Sequence, residues 1–280
     1  MSVGIAIKGS EGIILAADSR VTIESRMPGP DPGQIIISSS TFDSATKILH
    51  VAEQHHIGVV TYGLGALGDT SPRTVQSLLP EFEANLAKTE PKRMHVKRFA
   101  EVLGAFFSDQ WQQIMPANTP PGNDLIFLVG GFDEGETYGR VFEVRIPSAS
   151  DPVEWAWGEP NFGMVWGGQT NYIERLILGL DRAAVGFQVQ QLLKQNNEQV
   201  AQFLQLLGQA AQAPISFQFL PLQDCIDLAV FLIKSTIQMQ SFTTMGPRGV
   251  GGPVDVAVIT RTEGFRLVQA KAIQGERSHK

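Results

Sequence analysis

Three polar residues near the start of the chain, Ser2, Asp18 and Lys47, have the types and spacing of a nucleophile with supporting charges. Methionine is commonly removed in the cytosol when serine follows it, so we expect Ser2 to carry a free α-amine once Met1 is gone. An α-amine has a pKa of about 7.7–8.0 and can serve as the base for a hydroxyl that is a poor nucleophile alone. A nearby lysine ammonium would lower the pKa of both groups. The pattern predicts acyl transfer by Ser2, with Lys47 stabilising charge and Asp18 orienting Lys47.

The first hairpin would position these groups. The apolar runs VGIAI and GIILAAD flank the segment KGSEG, which is typical of two strands joined by a short turn. Antiparallel pairing around that turn places Asp18 opposite residue 2 or 3, at the open end of two buried strands. A buried charge is costly unless it is paired. We expect Lys47 to be the partner of Asp18, with Arg20 as the alternative.

A glycine ends the later strand IGVVTYG, and we expect the backbone N–H of Gly63 to donate to the oxyanion that forms on nucleophilic attack. The stretch GLGALG, from Gly63 to Gly68, also fits the glycine fingerprint of a dinucleotide-binding loop. That fingerprint needs a second parallel strand soon after the next helix, whereas the next strand-like segment begins near Asp124, after two helices. We therefore expect no dinucleotide cofactor, and no cofactor of another kind.

The composition argues against several classes of partner and site. A net charge of −6 gives no basic surface for nucleic acid. The single cysteine, Cys225, excludes an internal disulfide and a zinc site built on several cysteines, and we expect no metal site. No segment has the pattern of a signal peptide or the length of a membrane-spanning helix. We expect a cytoplasmic protein that binds neither nucleic acid nor membrane.

The order of elements indicates the fold class. Strand-like segments come first, then two amphipathic helices, more strands, a helical region and a closing hairpin around 262–264. Such segregation of helices and strands favours a layered α+β fold over alternating βαβ units. No linker or internal repeat interrupts the chain, so we expect residues 1–280 to form one domain.

Three segments together carry a family resemblance: SVGIAIKGSEGIILAADSRVT, TKILHV and IGVVTYGLGALGD. They resemble the N-terminal third of a proteasome-type subunit, a family of N-terminal nucleophile hydrolases that includes bacterial proteasome relatives. Ser2 lies sixteen residues before Asp18, and Lys47 and Gly63 follow in the family's order. The resemblance implies a four-layer αββα sandwich, assembly into a homo-oligomeric ring, hydrolysis of peptides or unfolded proteins, and a possible ATPase partner.

The same resemblance suggests further site residues and two insertions. It implies substrate-binding roles for Thr22 and Thr61. The family usually has a serine where Gln169 follows WGG, and its late Asp and Ser pair finds at best Ser241, so these two residues are expected as accessories. Relative to the family, the chain has an inserted loop at 27–34 and an inserted helical segment at about 181–220.

Two other functions stay open from the sequence. No carboxylate occurs between Asp227 and Asp255, and the missing acid favours a non-catalytic ring subunit or scaffold. A small-molecule amidase of the same superfamily would use the same nucleophile on a different substrate.

Overall fold

The computed structural model describes residues 2–31, 35–68, 71–116, 119, 122–193, 197–243 and 248–273. The strands are β1 Val3–Lys8, β2 Ile13–Asp18, β3 Val21–Pro28, β4 Ile35–Phe42, β5 Ile48–Leu49, β6 Ile57–Gly63, β7 Leu125–Gly131, β8 Arg140–Ile146, β9 Ala149–Glu154, β10 Gly163–Gly168, β11 Val254–Thr260 and β12 Gly264–Gln269. The helices are α1 Val75–Thr89, α2 Val96–Ile114, α3 Asn171–Ile177, α4 Arg182–Leu193, α5 Asn197–Ala211 and α6 Leu222–Phe242.

Two antiparallel five-stranded sheets form the centre of the molecule. The first sheet has the order β10-β1-β2-β11-β12, and the second has the order β5-β6-β7-β8-β9. Every residue of β1 and β2 is buried, in keeping with runs that are apolar on both faces. The predicted α+β class with antiparallel strands is confirmed.

The register of the first sheet determines what lies at its open end. Within the first hairpin Gly4 pairs with Ala17, so Asp18 is opposite Val3. On the other side of β2, Asp18 pairs with Val254 of β11. The end of β2 therefore lies between the start of the chain and a strand more than two hundred residues later.

Two long helices pack on the two sheets. Helix α2 packs on β7, β8 and β9 of the second sheet, and α6 packs on β1, β2 and β11 of the first. Phe82 of α1 is fully buried, as are Phe99 and Phe107 of α2, and its ring packs against both of theirs. The ring of Phe127 of β7 packs against Phe107. Apolar side chains also fill the space between the two sheets, including Leu15 and Val60.

Two segments lie outside these sheets. The stretch 27–34 begins at the end of β3, and its residues 32–34 fall outside the described part of the chain; β3 and β4 pair as a separate two-stranded ribbon. The stretch 181–220 contains α4 and α5, which pack on each other. No helix among the described residues is both long enough and apolar enough to cross a membrane.

Candidate active site

The carboxylate of Asp18 joins four parts of the chain at the end of β2. Its Oδ1 accepts from Val3 N at 2.9 Å and from Lys47 Nζ at 2.6 Å. Its Oδ2 accepts from Arg20 N at 3.1 Å and from Gly251 N at 3.0 Å. With 1% of the residue exposed, these hydrogen bonds satisfy a charge that would otherwise be costly to bury.

Lys47 is the cation that pairs with Asp18. It precedes β5, and its carbonyl accepts from Thr61 N at 2.9 Å, which fixes the backbone against β6. Burial lowers the pKa of Lys47, whereas the charge and hydrogen bond of Asp18 raise it. The alternative partner, Arg20, uses its guanidinium in a bidentate pair with Asp43, at 2.6 and 2.8 Å.

Ser2 is held from both sides. The N–H of Gln169 donates to its carbonyl at 2.8 Å, and the N–H of the next residue, Val3, is bound by Asp18. The N–H of Gly63 donates to Ser2 Oγ at 3.3 Å. The hydroxyl therefore lies beside the backbone donor that the sequence suggested for an oxyanion.

Two glycines make this placement of Ser2 possible. Gly63 has φ +89° and Gly168 has φ +94°, conformations that disfavour residues with a Cβ. A Cβ on Gly168 would lie 1.7 Å from the Ser2 carbonyl oxygen, and one on Gly63 would lie 2.2 Å from Asp124 O. Only glycine at 168 permits the close approach of β10 to Ser2.

A pocket of about 240 Å³ opens in front of these groups. Its described lining residues are Ser2, Arg20, Val21, Ala45, Thr46, Lys47, Thr61, Tyr62, Gly63, Leu64, Gly65, Thr74, Val75 and Gln76. The nucleophile, the lysine and the oxyanion donor expected from the sequence thus share one cavity.

The two threonines expected to bind substrate differ in position. Thr61 lines the pocket, although its hydroxyl donates to Ile126 O at 3.0 Å. Thr22 is not among the described lining residues; its Oγ1 lies 3.4 Å from Thr41 Oγ1 across the β3–β4 ribbon. Its neighbour Val21 contributes to the wall instead.

The two accessory residues are not brought together. Gln169 lies next to Ser2 through its backbone, and its side chain Oε1 accepts from Gln240 Nε2 at 2.7 Å. Ser241 is exposed on α6 and donates to Gln238 O at 2.7 Å. Gln240, which sequence reasoning missed, also accepts from Val250 N at 3.1 Å and so connects α6, β10 and the approach to β11.

Tyr62 is a second residue that sequence reasoning missed. It lines the pocket, and its ring packs so closely on β1 and β10 that a Cβ at Gly4 or Gly167 would lie 2.6 or 2.1 Å from it. Burial raises the pKa of Tyr62, which keeps its hydroxyl protonated. The glycines at 4 and 167 were the sequence signal for this large neighbour.

Comparison with known proteins gives structural neighbours only. No family model matches the chain, and no curated protein matches it. The chain is similar to the solved structure of an Anbu (Gly-1) mutant from Hyphomicrobium sp. strain MC1, with a TM-score of 0.54, 14% identity, and coverage of 99% of this chain and 89% of that one. It is also similar to the structure of a helical assembly of the Anbu complex from Pseudomonas aeruginosa, with a TM-score of 0.57, 15% identity, and coverage of 98% and 88%.

These neighbours correct the family expected from the sequence. The assignment to the proteasome-type subunits is wrong, because the similar structures are Anbu proteins, a related but distinct family. The spacing from Ser2 to Asp18 is set by the length of the first hairpin, so it identifies a fold more than a family. At 14–15% identity the similarity shows a common fold and nothing beyond it.

Proposed function

We propose that this chain is an N-terminal nucleophile hydrolase with an Anbu-like fold, which cleaves peptide (amide) bonds through an ester on Ser2. One observation carries the proposal: Ser2 Oγ lies 3.3 Å from Gly63 N in a cavity that it shares with Lys47, itself paired with the buried Asp18. Hydrolysis by this route requires removal of Met1, which lies outside the described residues, and a cytoplasmic location accords with that removal.

The chemistry follows from groups of this chain and needs no cofactor. Ser2 Oγ attacks the amide carbonyl carbon while its proton passes to the Ser2 α-amine. Gly63 N–H stabilises the oxyanion, and the ammonium of Lys47 favours the ionised hydroxyl. The C–N bond then breaks as the leaving amine takes the proton from the α-ammonium. Water, deprotonated by the same α-amine, hydrolyses the ester and frees Ser2.

The four-layer αββα arrangement expected from the sequence forms part of this proposal. Support comes from α2 packing on one sheet, α6 packing on the other, and apolar side chains filling the space between the sheets.

We also propose that copies of the chain assemble. The helical assembly of the Pseudomonas aeruginosa Anbu complex supports association, and a helical arrangement competes with the closed ring expected from the sequence. Large apolar side chains exposed on α5 and α6 favour association as well: Leu206, Phe231 and Phe242 are 67%, 54% and 78% exposed. Light scattering and electron microscopy of the purified protein distinguish a monomer, a ring and a helix.

Intact-mass measurement before and after treatment with a serine-reactive β-lactone tests the hydrolase. We expect the mass of the chain without Met1, one adduct on Ser2, and no adduct in Ser2→Ala. Ser71→Ala, which removes an exposed serine outside the pocket, is the matched control and should still be labelled. Retained Met1, or a free Ser2 that stays unmodified, would show the non-catalytic assembly subunit to be correct.

Substrates then separate peptidase from amidase. A peptidase cleaves fluorogenic peptides or unfolded protein and shows the same dependence on Ser2. A small-molecule amidase is labelled by the β-lactone and leaves both substrates intact.

A further inference from the structure

A second buried ion pair lies at the same end of the first sheet. Asp255 of β11 accepts from the backbone N of Lys271 at 2.8 Å, and its other oxygen contacts Lys271 Nζ. Ser19 Oγ donates a long hydrogen bond of 3.4 Å to that second oxygen. The side chains of Asp255 and Lys271 are 7% and 10% exposed. The mechanism proposed above uses neither residue.

The backbone places this pair beside the first one. Asp255 pairs with Ala17 in the β2–β11 register, one residue from Asp18. Ser19, the residue after Asp18, donates its N–H to Gly251 O at 3.1 Å and its hydroxyl to Asp255. Residues 17–19 therefore connect the two buried ion pairs: Asp18 belongs to the first, and Ala17 and Ser19 adjoin Asp255 of the second.

Lys47 is close enough to both pairs to be affected by their charges. Asp18 on β2 and Asp255 on β11 favour the charged ammonium, whereas Lys271 after β12 opposes it, and burial lowers the pKa of Lys47 most of all. Arg20, the other cation among the described lining residues of the pocket, is neutralised by its bidentate pair with Asp43. The charges of Asp255 and Lys271 thus shift the pKa of Lys47 in opposite directions.

We infer that Lys271 neutralises Asp255, so that Asp18 remains the counter-ion of the Lys47 ammonium. Asp255 and Lys271 are then positioning residues for the hydrolase proposed above, and their role depends on that function. Without Lys271, a second carboxylate would compete with Asp18 for the same ammonium. Without Asp255, a second buried cation would repel Lys47.

The test removes each charge of the second pair and follows Lys47 directly. Carbon NMR of labelled lysine Cε atoms, assigned with Lys47→Arg, gives the pKa of Lys47; the pH profile of Ser2 acylation by the β-lactone gives the second readout. Lys271→Met should raise the pKa of Lys47 by about 0.5, because Asp255 is left uncompensated. Asp255→Asn should lower it by about 0.5, because the Lys271 cation is left alone. The alkaline limb of acylation should move in the same directions.

The double variant Asp255→Asn/Lys271→Met restores neutrality and should return the profile to within about 0.2 pH unit of the wild type. Glu101→Gln and Lys97→Met, which remove the same charges from an exposed pair on α2, should leave it unchanged. Shifts in one direction for both single variants, or no shift in Lys271→Met, would overturn the inference. If Asp255→Asn does not fold, Lys271→Met alone decides. If wild-type Ser2 is not acylated, the hydrolase proposal fails, while the titration of Lys47 still decides the pairing.

Discussion

The two buried ion pairs at the end of the first sheet have similar chemistry and different surroundings. In each, a carboxylate on one of two neighbouring strands, β2 or β11, accepts a backbone N–H and a lysine ammonium. Asp18 gathers donors from four separate segments, whereas Asp255 is bound by Ser19 and by both nitrogens of Lys271. Lys47 lines the pocket, and Lys271 is not among its described lining residues. The two pairs therefore differ in what the lysine faces: Lys47 faces the pocket in which the proposed chemistry would take place, and Lys271 does not line it.

The largest expected difference between the pairs is in stability. Asp18→Ala leaves three backbone N–H groups, two of them buried, and an ammonium without their acceptor, and we expect it to lower the free energy of unfolding by about 3–5 kcal/mol. Asp255→Ala should cost about 1–3 kcal/mol, since one backbone N–H, a hydroxyl and a lysine near the end of the chain lose their partner. Urea unfolding followed by circular dichroism measures both.

Equal costs for the two alanine variants would contradict this ranking. Because Asp18→Ala is at risk of not folding, Asp18→Asn is the second measurement. It retains an acceptor oxygen and should be less destabilised than Asp18→Ala.

Reactivity should separate the two lysines next. In the proposed mechanism Lys47→Met removes the charge that favours the ionised Ser2 hydroxyl, and we therefore expect β-lactone acylation of Ser2 to slow by about 100-fold or more at pH 7.5. Lys271→Met should stay within about threefold of the wild type at that pH, because Lys47 remains charged. Stopped time courses read by intact mass give both rates, with circular dichroism as the check on folding. An equal loss of acylation rate in the two variants would contradict this difference and show that Lys271 contributes as much as Lys47.

The smallest effect concerns stability at alkaline pH. Burial lowers the pKa of Lys47 below the ordinary 10.5, so the folded chain binds fewer protons there than the unfolded chain as the pH approaches that value. The contribution of this group to stability is thus present above the unfolded pKa and is lost as the pH falls through the folded one. Relative to Lys47→Met, the wild type should gain stability as the pH rises toward 10.5.

Denaturant midpoints across that range test the slope. Lys271→Met retains Lys47, so the difference between its free energy of unfolding and that of Lys47→Met should also rise with pH. A difference that is flat or falls with pH would show that Lys47 is not held in a desolvated state.

The sequence predicts contacts between neighbouring segments of this chain better than contacts between segments that are far apart in the sequence. The first hairpin follows from local patterns: the turn in KGSEG fixes the register, and the register puts Asp18 beside Val3. The choice of Lys47 over Arg20 as the partner of Asp18 also came from the sequence, because Lys47 directly precedes the apolar strand β5. By contrast, Asp255 and Lys271 reach the site only through the pairing of β2 with β11, which no local pattern specifies.

The accessory residues show a second limit. Motif matching pointed to Ser241, whereas Gln240 makes the contact to Gln169. Successive residues of a helix point about 100° apart, so an error of one position turns a contact into an exposed residue. The close approach of β10 to Ser2 at Gly168 could not be predicted either. It depends on a φ of +94°, which a glycine permits but which the sequence WGG does not specify.

The four donors on Asp18 also set an order in biosynthesis. Gly251, the last of them, is 233 residues downstream of the carboxylate. While the chain is still being made, Val3, Arg20 and Lys47 can already donate to Asp18, but the fourth donor is missing until Gly251, just before β11, has been synthesised. In the hydrolase proposed above, the charge network beside Ser2 is therefore incomplete until the closing strands are synthesised, which would limit the reactivity of Ser2 in unfinished chains.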